Sequence, residues 1–174
     1  MAISLYDLSV ASFLQTLGAV DGFLAKGLAH FKEKNLDANS LVEVRLFEDM
    51  LPLHFQIVSI AHHSRGAIDG VKAGLAGPPA QMPSASYADL QKIVADARTA
   101  LEKVTPAEVN ALEGKDMVFQ IGDRKLPFSA ENYLLSFALP NFYFHSATAY
   151  DILRTKGVPL GKRDFMGRMR MKAA

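Results

Sequence analysis

Apolar side chains near the amino terminus recur at alternating intervals of four and three residues over about seven helical turns. This spacing keeps them on one face of an α-helix, where they form a continuous stripe that must be buried. The stripe predicts a long amphipathic helix that packs against other helices and ends near Asn35 and Asp37. The apolar positions are Tyr6, Val10, Phe13, Leu17, Val20, Leu24, Gly27 and Phe31.

A second apolar row with the same spacing follows. Pro52 has no N–H to donate and is tolerated only near the start of a helix, so the regular helix is predicted to begin near Leu51. The row contains Phe47, Met50, His54, Ile57, Ala61, Ser64, Ile68, Val71 and Leu75. The helix breakers that follow predict a long connection, and they are Gly74, Gly77, Pro78, Pro79 and Pro83.

Helix start signals of the capping-box type come next, at Ser86 with Asp89 and at Thr105 with Glu108. The first precedes the apolar row of a third helix. The second has Pro106 at the first helical position and predicts one short additional helical turn.

The carboxyl-terminal part combines a hairpin signal with a fourth helix. Residues 117–126 fit two short strands joined by a turn with Gly122 at its first position. Ser129 is the expected cap of the fourth helix, Pro140 is expected to kink it, and Gly157 is expected to end it. The sequence therefore predicts an all-α four-helix bundle with a small β-hairpin inserted before the last helix.

The composition limits the classes of function. The chain has 174 residues, a net charge of +1 and no cysteine. A single domain over residues 1–174 is expected. The absence of cysteine excludes disulfides, thiolate metal sites and cysteine nucleophiles, and the small net charge argues against a nucleic-acid partner. No secretory signal opens the chain and no apolar run approaches a membrane span, so a cytoplasmic protein without a membrane partner is expected.

The carboxyl-terminal tail, at about residues 158–174, is locally basic. We expect a solvated tail here, since chain ends are often loosely held, although a phosphate or polyanion contact is an alternative. The basic residues are Lys162, Arg163, Arg168, Arg170 and Lys172.

A polar stripe interrupts the apolar fourth helix. Asn141, His145 and Thr148 lie on one helix face by their spacing. An unsatisfied buried polar group costs about 1–3 kcal/mol, so these groups need internal partners or line a cavity. His54, on the row of the second helix, could face His145 across the bundle. Two histidines do not complete a metal site, however, because neither has His, Asp or Glu four residues away.

The remaining histidines are expected at the surface or in an interface. His62 and His63 point away from the row of the second helix on the α-helical periodicity. His30 lies between lysines near the polar end of the first helix.

Several segments resemble an uncharacterised domain family grouped with the DinB/YfiT-like four-helix bundles. The specific part is the signature formed by residues 141–145, 149–154 and 157–165, and a weaker similarity covers residues 49–56. The resemblance implies a four-helix bundle that is often a homodimer. The resembled family belongs to a superfamily whose better-known members use a three-histidine metal site. Those members include metal-dependent hydrolases and thiol-dependent transferases or isomerases.

The superfamily triad takes one histidine from the second helix and two, spaced by four residues, from the last. By this resemblance His54 matches the first and His145 matches one of the pair, whereas Asn141 and Ala149 stand where the partner histidine would be. A bound zinc, nickel or manganese ion would then need Asn141 or water as a further ligand.

Three hypotheses remain open, and none assigns a catalytic residue. The first is a small-molecule-binding protein with a polar pocket between the second and fourth helices. The second is a degenerate metal-dependent hydrolase or thiol-dependent transferase that uses His54 and His145, and the third is a purely structural polar core. The residues assigned to ligand binding are Gln56, Asn141, Thr148, Tyr150 and Arg154, the last two because a pair spaced by four residues could stack on or bind an anion.

Overall fold

The computed structural model describes residues 3–82 and 85–172, and the predicted breaker Pro83 lies outside them. In this part the chain is mostly helical, with two π-helical segments at His62–Gly66 and Leu134–Ala138 and a 3₁₀ turn at Ala38–Leu41. The helices are α1 (Leu5–Leu8), α2 (Val10–Glu33), α3 (Leu53–Ala61), α4 (Ala67–Ala73), α5 (Tyr87–Glu102), α6 (Pro106–Asn110), α7 (Ala130–Tyr133), α8 (Leu139–Thr155) and α9 (Lys162–Met166).

The first predicted helix is present but is divided at Ser9. The Ser9 hydroxyl donates to the carbonyl of Leu5, and the chain then continues as α2. The helix ends before Asn35, which adopts a positive φ of 55°. On length and composition alone, the span Leu5–Glu33 could cross a membrane, contrary to the sequence expectation. The apolar row of α2 nevertheless lies in the protein core.

The second helical rod runs through α3, the first π segment and α4 over residues 53–73. It begins at Leu53 rather than at Leu51, because Pro52 has extended backbone and occupies the N-cap position. Phe47, predicted on its apolar row, precedes the helix and is 63% exposed. Gly74 ends the rod with a left-handed φ of 73°.

A three-stranded sheet lies beside the helices. Strand β2 (Asp116–Ile121) pairs antiparallel with β3 (Arg124–Ser129), and β1 (Leu75–Ala76) pairs parallel with β2. Gly122 supplies the positive φ, 55°, that the turn between β2 and β3 requires. Phe119 of β2 packs on Phe137 in the second π segment, with ring centroids 4.5 Å apart. The sheet thereby packs against α4, α7 and the second π segment.

The long helices pack on each other around an apolar core. Helix α8 packs against α3 and α2, while α5 packs against α2 and α3. Phe13 of α2 meets Phe142 of α8 edge to face at 5.0 Å. These contacts place the rod of residues 53–73 beside a second rod, residues 130–155, which runs through α7, the second π segment and α8.

The carboxyl-terminal segment contacts α2 through α9, while residues 168–172 are exposed. The Gln15 amide donates to the carbonyl of Met166 at 3.0 Å, and Phe165 packs against Tyr150. Further along, Arg170 Nη1 donates to the carbonyl of Asp7 at 3.2 Å. The segment after Gly161 therefore lies along α2.

Candidate functional site

Two π segments on neighbouring rods meet at a group of histidines. His63, in the first segment, is only 5% exposed and packs on Phe137 of the second, with ring centroids 5.8 Å apart. Helices with π geometry are rare and occur frequently at functional sites. Because two such segments meet here, this region is the candidate functional site of the protein.

His63 is expected at the surface or in an interface, but it is buried inside the fold. The second rod is buried along two adjacent rows rather than one, and Gln56, Ile60, His63 and Ala67 occupy the second row. A single apolar row in the sequence does not reveal how much of a helix is surrounded by neighbours. His62 is half-buried beside it, with a ring-centroid distance of 5.0 Å.

Gln56 fixes the tautomer of His145. The amide nitrogen of Gln56 donates to the carbonyl of Leu51 at 2.7 Å, so its amide oxygen faces His145 Nδ1, also at 2.7 Å. An amide oxygen can only accept, and Nδ1 must therefore carry the proton. The Nε2 atom of His145 is left with a free lone pair.

The side chains of Gln56, His62, His63 and His145 form what we call the histidine cluster. The rings of His63 and His145 are nearly parallel, with centroids 5.7 Å apart and 7° between their planes. Phe55 and Phe144 pack edge-on against His145. The cluster is thus a polar group enclosed by aromatic rings.

Burial keeps the cluster uncharged. It lowers the pKa of His63 to about 3, with smaller contributions from His62 and His145, and that of His145 to about 4. Burial also lowers the pKa of His62. Among the described residues, the cluster nitrogens His63 Nδ1 and His62 Nε2 are buried without a geometrically good hydrogen-bond partner, although the backbone of Gly77 lies close enough to His62 to oppose part of the lowering of its pKa. These neutral imidazoles therefore retain unused hydrogen-bonding capacity.

Two residues of the predicted polar stripe are satisfied within their own helix. The Asn141 amide donates to the carbonyl of Phe137, and the Thr148 hydroxyl donates to that of Phe144, each at 2.8 Å. Among the described residues, His145 is the member of the stripe whose side chain bonds to another element, through Gln56.

The other predicted site residues lie apart from the cluster. His54 is directed to Glu43, with 3.2 Å between Nδ1 and the carboxylate, and no described contact joins it to His145. Tyr150 packs between Phe23 and Phe165, and Arg154 donates to the carbonyl of Val158 at 3.3 Å. Surface cavities of about 200–530 Å³ lie elsewhere in the described part of the chain, and Tyr150 is a predicted site residue that lines one of them.

Comparisons with known proteins identify the family. The family described as domain of unknown function DUF1993 matches residues 5–166. The chain belongs to the DUF1993 family. No similar sequence was found among curated proteins.

Solved structures support a DinB-like fold for this DUF1993 protein. A DinB family member from Shewanella denitrificans shares 28% identity at a TM-score of 0.80, covering 98% of this chain and 96% of its own. A DinB-like protein from Bacillus subtilis shares the fold at 15% identity and a TM-score of 0.56, covering 87% of this chain and 95% of its own. The resemblance to an uncharacterised DinB-like family is confirmed.

The metal site implied by the superfamily does not fit the residues present. Asn141 and Ala149 replace the second histidine of the last helix, and His54 pairs with Glu43. Within residues 3–82 and 85–172, no group of three or more His, Asp or Glu side chains is arranged to hold a metal ion. The cluster therefore offers one imidazole nitrogen, Nε2 of His145, on a ring that Gln56 orients. The rings of His62 and His63 lie beside it.

Proposed function

We propose that the histidine cluster binds an uncharged small molecule that carries an aromatic ring and an N–H or O–H donor. The observation that carries the proposal is the convergence of two π segments on neutral imidazoles with unpartnered nitrogens. A buried group without a partner costs about 1–3 kcal/mol, which a bound ligand would offset.

The chemistry of the cluster selects this ligand class. The free lone pair of His145 Nε2 can accept from a ligand O–H or N–H. Because the imidazoles are neutral at pH 7, they offer little to a ligand anion. The rings of Phe55, Phe137 and Phe144 around them suit an aromatic partner.

Phe144 supplies the entry path in this proposal. It is 56% exposed and packs edge-on against His145, with ring centroids 5.2 Å apart. Rotation of this exposed ring would open the His145 side of the cluster without disturbing the buried helix contacts.

Ring nitrogen shifts in ¹⁵N-labelled protein, titrated with phenol and indole, test the proposal. We expect saturable shifts of the His145 and His63 signals, absent in His145→Phe and retained in the matched control His30→Phe. Circular dichroism checks that both variants are folded. The lack of any saturable shift in wild-type protein would contradict the proposal.

The second candidate function is a metal-dependent hydrolase or thiol-dependent transferase using His54 and His145, and one observation, which concerns His145 alone, supports it. A hydrogen bond that holds one ring nitrogen and frees the other is the usual outer support of a metal-binding histidine, and Gln56 gives His145 this support. Metal analysis after loading with zinc, nickel or manganese distinguishes the two functions. A stoichiometric ion that is lost in His145→Ala would favour the enzyme, and a metal-free protein would exclude it.

A purely structural role is the third alternative. Replacing Asn141 and His145 together by Leu should then preserve or raise the free energy of unfolding. Under the ligand-binding proposal, the same double variant loses the phenol-induced shift of His63.

We further propose a helix topology, an oligomeric state and a cellular location for the whole chain. The α2 helix, the α3–α4 rod, α5 and the α7–α8 rod would form a DinB-type four-helix bundle with the β2–β3 hairpin inserted before the last helix, supported by their mutual packing. The resemblance suggests a cytoplasmic homodimer in which each chain forms one domain. Light scattering during size-exclusion chromatography tests the dimer.

A further inference from the structure

A second candidate site lies where the docked carboxyl-terminal segment faces α5. A cleft of about 350 Å³ there is lined by three arginines and by four residues of α2, with no carboxylate among the lining residues. It shares no residue with the histidine cluster. The lining residues are Ala11, Leu14, Gln15, Gly18, Arg98, Arg168 and Arg170.

The docking of the carboxyl-terminal segment creates this cleft. Gln15 holds the carbonyl of Met166, and Gly167 follows with a φ of 60°. A Cβ at Gly167 would lie 3.1 Å from both Ala19 Cβ and the carbonyl oxygen of Gln15, so the chain passes tightly against α2. Arg168 and Arg170 are thereby brought to the same cleft as Arg98, which lies far away in the sequence.

The three guanidinium groups are not fully occupied by protein partners. Arg98 pairs with Glu102 at 3.0 Å and with Asp21 at 3.7 Å, while Arg170 donates to the carbonyl of Asp7. Within the described residues, no hydrogen bond or ion pair involves the Arg168 side chain. A guanidinium has five N–H donors, so each arginine keeps donors for a ligand.

The floor of the cleft leaves room for a ligand. A Cβ added at Gly18 would meet nothing within 4 Å, and neither would one at Gly22, one turn further along α2. Gly18 lines the cleft whereas Gly22 does not. This pair offers a blocking variant and a matched control on the same helix.

We propose that this cleft binds the phosphoryl group of a small soluble phosphate ester or diphosphate. Guanidinium groups match phosphate oxygens in bidentate geometry, and converging like charges are stabilised by a bound anion. The carboxylates of Asp21 and Glu102 pair with Arg98, and the charge of Arg170 acts on the carboxylate of Asp7, so these three acids limit the net charge of the cleft. This balance favours a compact anion that reaches between the arginines over an extended polyanion.

Isothermal titration calorimetry with inorganic phosphate and pyrophosphate at low ionic strength tests the proposal. We expect saturable binding of one pyrophosphate per chain that weakens as sodium chloride is added. Arg168→Gln should weaken binding by about tenfold or more, the loss of one charge-assisted contact. Gly18→Leu should abolish binding by filling the cleft.

Two controls make the outcome specific. Gly22→Leu adds the same side chain to α2 outside the cleft, and Lys172→Gln removes a basic charge that does not line it. Both should bind pyrophosphate like the wild type. The proposal is overturned if wild-type protein shows no saturable binding, if Gly18→Leu binds normally, or if Lys172→Gln loses as much affinity as Arg168→Gln.

Discussion

At the scale of single residues, Gln56 decides what His145 can do. Its amide is held by the carbonyl of Leu51, and it in turn holds Nδ1 of His145. Because the amide is 2% exposed, water does not replace either bond. The chemistry of a histidine on α8 is thus set by a residue on α3.

Replacing Gln56 by Leu should lower the free energy of unfolding by about 1–3 kcal/mol, since a buried N–H loses its acceptor. The His145 ring should also lose its single tautomer, which ring ¹⁵N shifts report. Gln56→Glu keeps the acceptor and adds a negative charge, so it should raise the pKa of His145. An unchanged tautomer in Gln56→Leu would contradict the assignment.

The buried histidines should make stability depend on pH. In the folded state the pKa of His145 is about 4 and that of His63 about 3, whereas both are near 6.5 in an unfolded chain. Between these values the unfolded chain binds more protons, so stability is greatest above about pH 6.5 and falls as the pH is lowered toward 4. Each histidine contributes up to about 1.4 kcal/mol per pH unit.

Urea unfolding at a series of pH values between about 7 and about 5 measures this slope. His63→Leu removes one of the three histidines whose pKa is lowered by burial and should reduce the slope by up to about 1.4 kcal/mol per pH unit. His30→Leu, on α2, controls for the loss of a histidine elsewhere. Equal slopes for wild type and His63→Leu would show that His63 is not responsible.

At the scale of elements, helix starts are determined locally. Capping boxes are present at Ser86 with Asp89 and at Thr105 with Glu108, as predicted. The Ser129 cap is confirmed as well. Each of these signals was readable from the sequence because both partners lie within one helical turn.

Ser86→Ala should destabilise the protein by about 1 kcal/mol through the loss of the α5 N-cap. The Ser86 hydroxyl accepts from the backbone N–H of Asp89 at 3.1 Å, and the Asp89 carboxylate accepts from Ser86 in return at 2.8 Å. Thermal and urea unfolding measure the loss. Ser86→Thr keeps the hydroxyl and should retain most of the stability, so an equal loss in both variants would count against the cap.

At the scale of the whole molecule, the carboxyl-terminal segment closes over α2. The Asp164 carboxylate pairs with Lys26 of α2, and this hydrogen bond lowers the pKa of Asp164. Phe165 joins the aromatic contacts of Tyr150. Docking of this segment connects the last helix to the first.

Gly167→Ala should release the end of the segment, because Ala is strained at a φ of 60° and its Cβ would crowd Ala19 and Gln15. We expect a cost of about 1–3 kcal/mol for that strain. Faster tryptic cleavage at Arg168 and Arg170 should accompany it. Gly22→Ala on the exposed face of α2 is the control, and cleavage of both variants at the wild-type rate would contradict the docked geometry.

The helical class, the capped helix starts and the family could be predicted from the sequence, because they depend on periodicity and on residues close in the chain. The sequence also identified His145 as the central residue of the polar stripe. The partners of His145 come from the adjacent rod and include His63, expected at the surface or in an interface, and they depend on how the helices pack. The pairing of β1 with a strand distant in the sequence also depends on tertiary packing, and so does the arginine cleft. Such contacts depend on which helix faces are surrounded, and a single row of apolar residues does not encode this.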